Sequence, residues 1–330
     1  MTSRTRRALL ATGAGAFAAP LLGLPRLAFG QQLETVHLVT GFAPGGTTDV
    51  VCRSVAERLR GVLAPTVLVE NMSGANGQLA LRNIKSAKPD GTRILLTPDS
   101  IVAVHPHIYS NLGVDPLTEL APVSIACEFV DAIAVGELVP RSVRNLNEFV
   151  QWCKANPNQA SYGVPGSGSI PHFMGALFAA ETGTSLKHIQ YRGSQPAVLD
   201  AMGGHLAAVC APVGEFLREQ ETGRLRILAT SGRARTRFVP NVPTFSEQGF
   251  KTIVVEQWMA FYLPPKTSGA IVQHAQAALA QALASKQVAD AFATFGLEPA
   301  SSTPAQLAQR TRADYERWGQ VVKATGFKIT

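Results

Sequence analysis

The 330-residue chain is 46% hydrophobic and 16% charged, a balance that fits well-filled cores and excludes a mainly disordered protein. Its net charge of +7 is concentrated at the start: taking Arg4, Arg6, Arg7 and Arg26 from 30 basic residues leaves 26 against 23 acidic ones, a net charge of +3. Beyond residue 30 there is no block of like charge, and the 7% aromatic content forms no stacking series, so a nucleic-acid partner is excluded.

Residues 1–30 hold no acidic residue, an apolar stretch from Ala8 to Leu24, and small residues Ala28 and Gly30 ahead of Gln31. That composition reads as an export signal to the periplasm; Thr5 to Leu10 resembles a twin-arginine start, and Sec export is the other route. The apolar run is short and is broken by Gly13, Gly15 and Pro20, which argues against a membrane anchor. Cys52, Cys127, Cys153 and Cys210 are far apart with no C-x-x-C pair, so a zinc site is disfavoured, one disulfide is permitted outside the cytoplasm, and its connectivity stays open.

From Val36 to Phe42 an apolar run predicts a buried strand, and Pro44-Gly45-Gly46 turns the chain into a helix with apolar residues at 51, 52, 55, 56 and 59. Thr47, Thr48 and Asp49 are good capping types, and the first N–H groups of such a helix lack intrahelical acceptors and suit an anion, most simply a carboxylate. A second strand, Thr66 to Glu70, a turn-rich loop at 71–77, a helix from about Gln78 to Ser86 and a third strand, Ile94 to Thr97, complete a βαβαβ alternation. It predicts a parallel α/β sheet with ligands outside the strand carboxyl ends, where residues 43–49, 71–77 and 98–100, including Ser100, fall.

The apolar stretch from Leu120 to Val135 reads as two strands or as one long strand crossing between domains. A second series follows: a helix from Leu146 to Ala155, a strand around Ala160 to Tyr162, and the loop Gly163 to Ser169. That loop feeds a helix with Ile170, Phe173, Met174, Leu177 and Phe178 on one face and Pro171 in its first turn. Two glycine loops, each opening a helix, thus sit in separate halves of the chain. Further strands are expected at 187–191, 206–211, 225–230 and 253–263, and two helical stretches at 271–295 and 304–323.

Phe42-Ala43-Pro44-Gly45-Gly46-Thr47-Thr48-Asp49 with Arg53, Val69-Glu70-Asn71, Gly74-Ala75-Asn76-Gly77, and Lys88-Pro89-Asp90-Gly91 come in that order. They are followed by Ala121-Pro122-Val123, Tyr162-Gly163, Gly166-Ser167-Gly168-Ser169 with His172, Tyr191-Arg192-Gly193, Gly203-Gly204, Val242-Pro243-Thr244, Trp258 and Trp318-Gly319. In this order and spacing they resemble the Bug family, the periplasmic solute-binding proteins of tripartite tricarboxylate transporters, over essentially the whole chain after residue 30.

The resemblance implies a two-domain α/β clamp of the periplasmic-binding-protein (Venus-flytrap) type, with mostly parallel sheets flanked by helices and two crossover segments as the hinge. Domain 1 is expected at 31–126 and 257–330, and domain 2 at 127–256. It further implies a small organic carboxylate held between residues 43–49 and 166–169 through backbone N–H groups, hydroxyls and waters. The ligand-binding set so expected is Phe42, Pro44, Gly45, Gly46, Thr47, Thr48, Asp49, Ser100, Gly166, Ser167, Gly168, Ser169, His172 and Cys210. Membrane subunits of a tripartite tricarboxylate transporter are the expected partners of a monomeric receptor, with no cofactor and no metal. Departures from the family pattern at Cys210-Ala211-Pro212-Val213, Glu119-Leu120 and Gln257 bear on the ligand rather than on the fold.

Four of these residues also have plainer readings. Asp49 is either a ligand contact or a helix cap, and Ser167 and Ser169 either donate to a carboxylate or cap the helix at 170. His172 lacks a nucleophile elbow and an acid partner, so packing or hydrogen bonding is expected of it rather than catalysis. His105 and His107 flank a proline with no third ligand nearby and read as ordinary loop residues. The alternatives to a transport receptor are a secreted hydrolase or isomerase on an α/β scaffold, or a ligand sensor for a signalling protein.

Overall fold

The computed structural model describes residues 33–329, so the expected export signal at 1–30 lies outside the described residues. Strands β1 (Thr35–Thr40), β2 (Thr66–Asn71) and β3 (Arg93–Pro98) pair in parallel with β1 in the middle. Helix α1 (Thr47–Leu59) crosses from β1 to β2, and α2 (Gln78–Ser86) from β2 to β3. Val51, Cys52, Val55, Ala56 and Leu59 recur at helical spacing on α1, and all are buried in the core on one face of these strands. After β3, a π-helical turn at Ser100–Val104 runs into the short α3 (His105–Ile108).

The apolar stretch after residue 120 forms one strand, β4 (Ala121–Val135). Up to Val130 it pairs antiparallel with β9 (Glu256–Leu263), and from Asp131 onward with β7 (Ala208–Pro212) and β8 (Arg226–Thr230). A single extended segment therefore leaves one half of the sheet and enters the other. Between β4 and the returning β9 lie α4 (Leu146–Ala155), β5 (Ser161–Val164), α5 (Ile170–Thr182), β6 (Lys187–Gln190), α6 (Ser194–Met202) and α7 (Leu217–Glu221), together with β7 and β8. Strand β5 pairs in parallel with both β6 and β7, repeating the design of the first half.

The strand order is β2-β1-β3-β9-β4-β7-β5-β6. Each outer part is parallel, as the βαβ alternation predicts, whereas the crossing strands β4 and β9 run antiparallel to their neighbours and make the whole sheet mixed. The tail comprises α8 (Gly269–Leu283), α9 (Lys286–Ala293), β10 (Glu298–Pro299) and α10 (Pro304–Thr325). The expected helical stretch at 271–295 is two helices because the Ser285 side chain accepts from the Val288 N–H and starts a new one. Thr303 and Gln306 form a capping box at the start of α10, whose Leu307, Thr311, Trp318 and Val322 are buried, while Tyr315 is half-buried.

Two pairs of cores cover the faces of the two half-sheets, and a fifth cluster joins them. In it Val104 and Ile108 meet Ile170 and Phe173 of α5 and Trp318 of α10. All four cysteines are buried and free. Among the described residues no helix is long and apolar enough to cross a membrane.

Candidate functional site

The loops that follow the parallel strands gather where the two half-sheets face each other. From the first half come residues 41–46 after β1, 72–77 after β2 and 99–100 after β3; from the second come 165–169 after β5, 191–193 after β6 and 213–216 after β7. Three contacts bring the two sets together. The Thr47 hydroxyl donates to Glu215 Oε1 at 3.5 Å, a Cβ built on Gly166 would lie 3.9 Å from Asn76 Oδ1, and one built on Gly168 would lie 2.2 Å from Ile108 Cδ1.

The first loop is built from inside. Gly41 comes so close to Gly77 that a Cβ there would lie 2.6 Å from the Gly77 Cα, which presses the loop after β1 against the one after β2. Gly46, rather than a threonine or aspartate, caps α1, and its side-chainless position provides no capping hydrogen bond. Asp49, three residues on, reaches back instead: its Oδ2 accepts from the Gly45 N–H at 2.9 Å and from Arg53 Nε at 2.8 Å. Its Oδ1 accepts from Asn71 Nδ2 at 3.0 Å, and the same Asn71 group donates to the Phe42 carbonyl at 3.1 Å. Burial alone would raise the Asp49 pKa, but the hydrogen bonds from Arg53, Gly45 and Asn71 outweigh it and hold the carboxyl below its ordinary value.

Asp49 is thus a buried, ionised anchor of the loop. Both its oxygens accept from protein donors, so of its two readings, ligand contact or cap, these bonds describe the structural one. What the loop offers instead is backbone: the N–H groups of Gly46, Thr47 and Thr48 meet no acceptor among the described residues, and Gly45 and Gly46 are exposed.

The second loop has a similar internal support. Ser169 caps α5, its hydroxyl oxygen accepting from the His172 N–H at 3.4 Å. The ring of His172 accepts at Nδ1 from the Gly168 N–H at 3.2 Å and packs on His188 and Phe327 with centroids 4.3 Å and 4.6 Å away. Burial, with a further contribution from His188, pulls its pKa down to about 4, so the ring is neutral near pH 7 and serves as an acceptor. His172 is therefore buried and shapes the loop from behind. Ser167 is half-buried and its hydroxyl is joined to Gln190 Oε1 at 2.7 Å, while the Gly166 and Ser167 N–H groups have no acceptor among the described residues.

Phe42 is half-buried and its ring lies against Gly77, Pro44 is exposed beside Gly45, and Ser100 is buried with its N–H on Asp99 Oδ1 at 2.7 Å. Cys210 does not belong to this set. It is fully buried in the core of the second half-sheet, opposite Ile133 of β4, with its thiol pKa pushed well up by burial and by Asp131. Strand β7 is buried on both faces, so the alternation that would tell inward from outward residues is missing there.

Sequence reasoning missed Glu215 and Gln195. Both follow strand carboxyl ends in the second half, the signal used for the first half and not applied here. Two surface hollows lie elsewhere, one beside Arg218, Arg237 and Asn241 and one beside Leu117 and Arg312, and neither is lined by the loops with unpaired N–H groups. Among the described residues no cluster of three His, Cys, Asp or Glu is placed to hold a metal ion.

Two α/β halves joined by crossing strands, with glycine loops opposed between them, define a periplasmic solute-binding protein. Comparison with known proteins gives the family. The model for the tripartite tricarboxylate transporter family receptor matches residues 51–327. Protein BugT of Bordetella pertussis is 31% identical over 295 residues, covering 89% of this chain and 90% of BugT. The structure of the periplasmic binding protein BugD matches with a TM-score of 0.80 at 28% identity, and that of R. palustris Rpa4515 with adipate with 0.83 at 26%. Each covers 89% of this chain and 98% of its own. The chain belongs to the tripartite tricarboxylate transporter receptor family, a family of periplasmic solute-binding receptors rather than enzymes.

Proposed function

We propose that this receptor captures a small organic carboxylate between residues 43–49 and 166–169 and presents it, as a monomer, to the membrane subunits of a tripartite transporter. The observation that carries this is the pair of opposed loops whose N–H groups at Gly46, Thr47, Thr48, Gly166 and Ser167 lack acceptors among the described residues, two of them at the head of α1. Such groups favour an anion, and the relative Rpa4515 has been solved with adipate. Thr47 and Thr48 contribute through their backbone N–H groups, Phe42 and Pro44 flank the first loop, and Asp49 and His172 keep the two loops in shape.

In this account the lobes divide where strand pairing changes, residues 33–130 with 256–329 forming one and 131–255 the other, close to the bounds of 31–126 with 257–330 and 127–256 that the family resemblance implies. The chain reaches the periplasm through the signal at 1–30, by the twin-arginine or the Sec route.

A thermal-shift screen of the exported protein against small mono-, di- and tricarboxylates tests this directly. An acid at about 100 times its Kd stabilises by about 2.7 kcal/mol, a readily seen rise in Tm. The same acid as its amide or methyl ester is expected to give none. Equal shifts from acid and ester would mean that the loops do not bind an anion.

A further inference from the structure

Resting on that reading, the structure also points to what lies at the other end of the ligand. Glu215 stands on the loop after β7 and reaches across the cleft to Thr47, the first residue of α1. Its two oxygens have only neutral partners, the Gln195 amide at 2.6 Å and the Thr47 hydroxyl at 3.5 Å. It takes part in none of the ion pairs among the described residues. The guanidinium of Arg53, on the same helix as Thr47, is held by Asp49 at 2.8 Å.

Glu215 is therefore a half-buried carboxylate without a counter-ion, set beside loops whose unpaired groups are anion-binding donors. Burial raises its pKa, and the bonds from Gln195 and Thr47 only partly offset that. A ligand carboxylate brought close to it meets repulsion, whereas a cationic group supplies the missing charge.

We infer that Glu215 is the counter-ion for a cationic group of the ligand, so that the cleft selects a small zwitterionic acid, carboxylate toward the opposed glycine loops and ammonium toward Glu215, over the corresponding plain acid. Gln195 and Thr47 aim the carboxylate by fixing both its oxygens. A purely structural latch between the lobes would change the affinity for every ligand alike. A counter-ion changes the ratio between charged and uncharged analogues.

The test measures that ratio by calorimetric titration with matched pairs differing by one ammonium group: aspartate with succinate, glutamate with glutarate, and 4-aminobutyrate with butyrate. The wild type is expected to favour the ammonium-bearing member of the pair it binds by tenfold or more. Glu215→Gln, which keeps the size and one acceptor oxygen for the Gln195 amide, is expected to bring the ratio to one or below, and Glu215→Asp to retain part of the preference. In the wild type the ratio should also fall as acidification protonates Glu215.

A wild type that prefers the plain acids, a Glu215→Gln variant with an unchanged ratio, or a wild-type ratio that stays flat into acid each overturns the inference. Should Glu215→Gln fail to fold by circular dichroism, the wild-type ratio, its pH profile and Glu215→Asp decide between the outcomes. If no carboxylate of any kind binds, the anion-clamp function itself is at fault. If carboxylates bind without regard to residue 215, only the counter-ion is.

Discussion

At the scale of single residues, Asp49 illustrates how a site is held by groups that do not touch its ligand. One carboxylate gathers the Gly45 N–H, Arg53 and Asn71, and Asn71 in turn holds the Phe42 carbonyl, so the whole turn after β1 hangs on it. Asp49→Ala leaves the partly buried Gly45 N–H, the Asn71 amide and Arg53 without their shared acceptor, and a stability loss of about 1–3 kcal/mol is expected in urea denaturation. Because the folded pKa lies below the unfolded one, the ionised group's stabilisation is present above the unfolded value and disappears as pH falls through the folded one. The gap between wild type and variant should accordingly narrow in acid. Carboxylate affinity should weaken in Asp49→Ala as well, since the N–H groups of Gly46 to Thr48 lose their fixed aim. The sequence motif marked Asp49 as important, but its spacing is equally compatible with a residue turned toward a ligand or toward its own loop. Glu215 left less trace: a lone glutamate after a short buried strand has no local pattern, and only the strand topology reveals that it faces Thr47.

At the scale of elements, both glycine-loop units were legible because each joins a buried strand to a helix through a turn of unmistakable composition. Helix α2 falls on its expected bounds, and α5 begins at the expected residue with its cap at Ser169. What local pattern could not decide was whether residues 121–135 form one strand or two, since a strand with nearly every position buried has no alternation. The loop between β5 and α5 is held by a tertiary contact equally invisible in sequence. Gly168 has φ +79° and faces Ile108 with no room for a side chain. Gly168→Ala is expected to cost about 1–2 kcal/mol from its left-handed backbone alone, and the Cβ would also push the loop away from Ile108. Pairing it with Ile108→Ala separates the two effects in a double-mutant cycle. The added space should recover ligand affinity, measured by calorimetry, while the backbone cost to stability remains.

At the scale of the whole molecule, the passage between the two halves is also where charge is buried most deeply. Asp131 is the first residue of β4 to pair with the second half-sheet, and Gln257 lies on the returning strand; the Gln257 amide donates to both Asp131 oxygens at 2.6 Å. Among the described residues no cation pairs with Asp131, and Asp99, also buried, and the Cys210 thiol are titratable groups coupled to it. Burial raises the Asp131 pKa to about 7 although the bond from Gln257 opposes it, and Asp99 is raised well above its ordinary value by burial and by Asp314 and Asp131. A folded pKa above the unfolded one means that the folded state binds the extra proton. The favourable contribution is full below the unfolded value near 3.8, declines as pH rises toward about 7, and is gone above it. Asp131→Asn removes this titration while leaving an oxygen to accept from Gln257. Its stability should therefore match or trail the wild type at low pH and exceed it above neutrality by on the order of 2 kcal/mol, read as the difference in urea midpoints across the pH range. An unchanged difference from acid to alkaline pH would show that Asp131 is not ionising at the crossing. A gain confined to the unliganded protein would show instead that closure of the two halves, and not folding, is what the buried charge opposes.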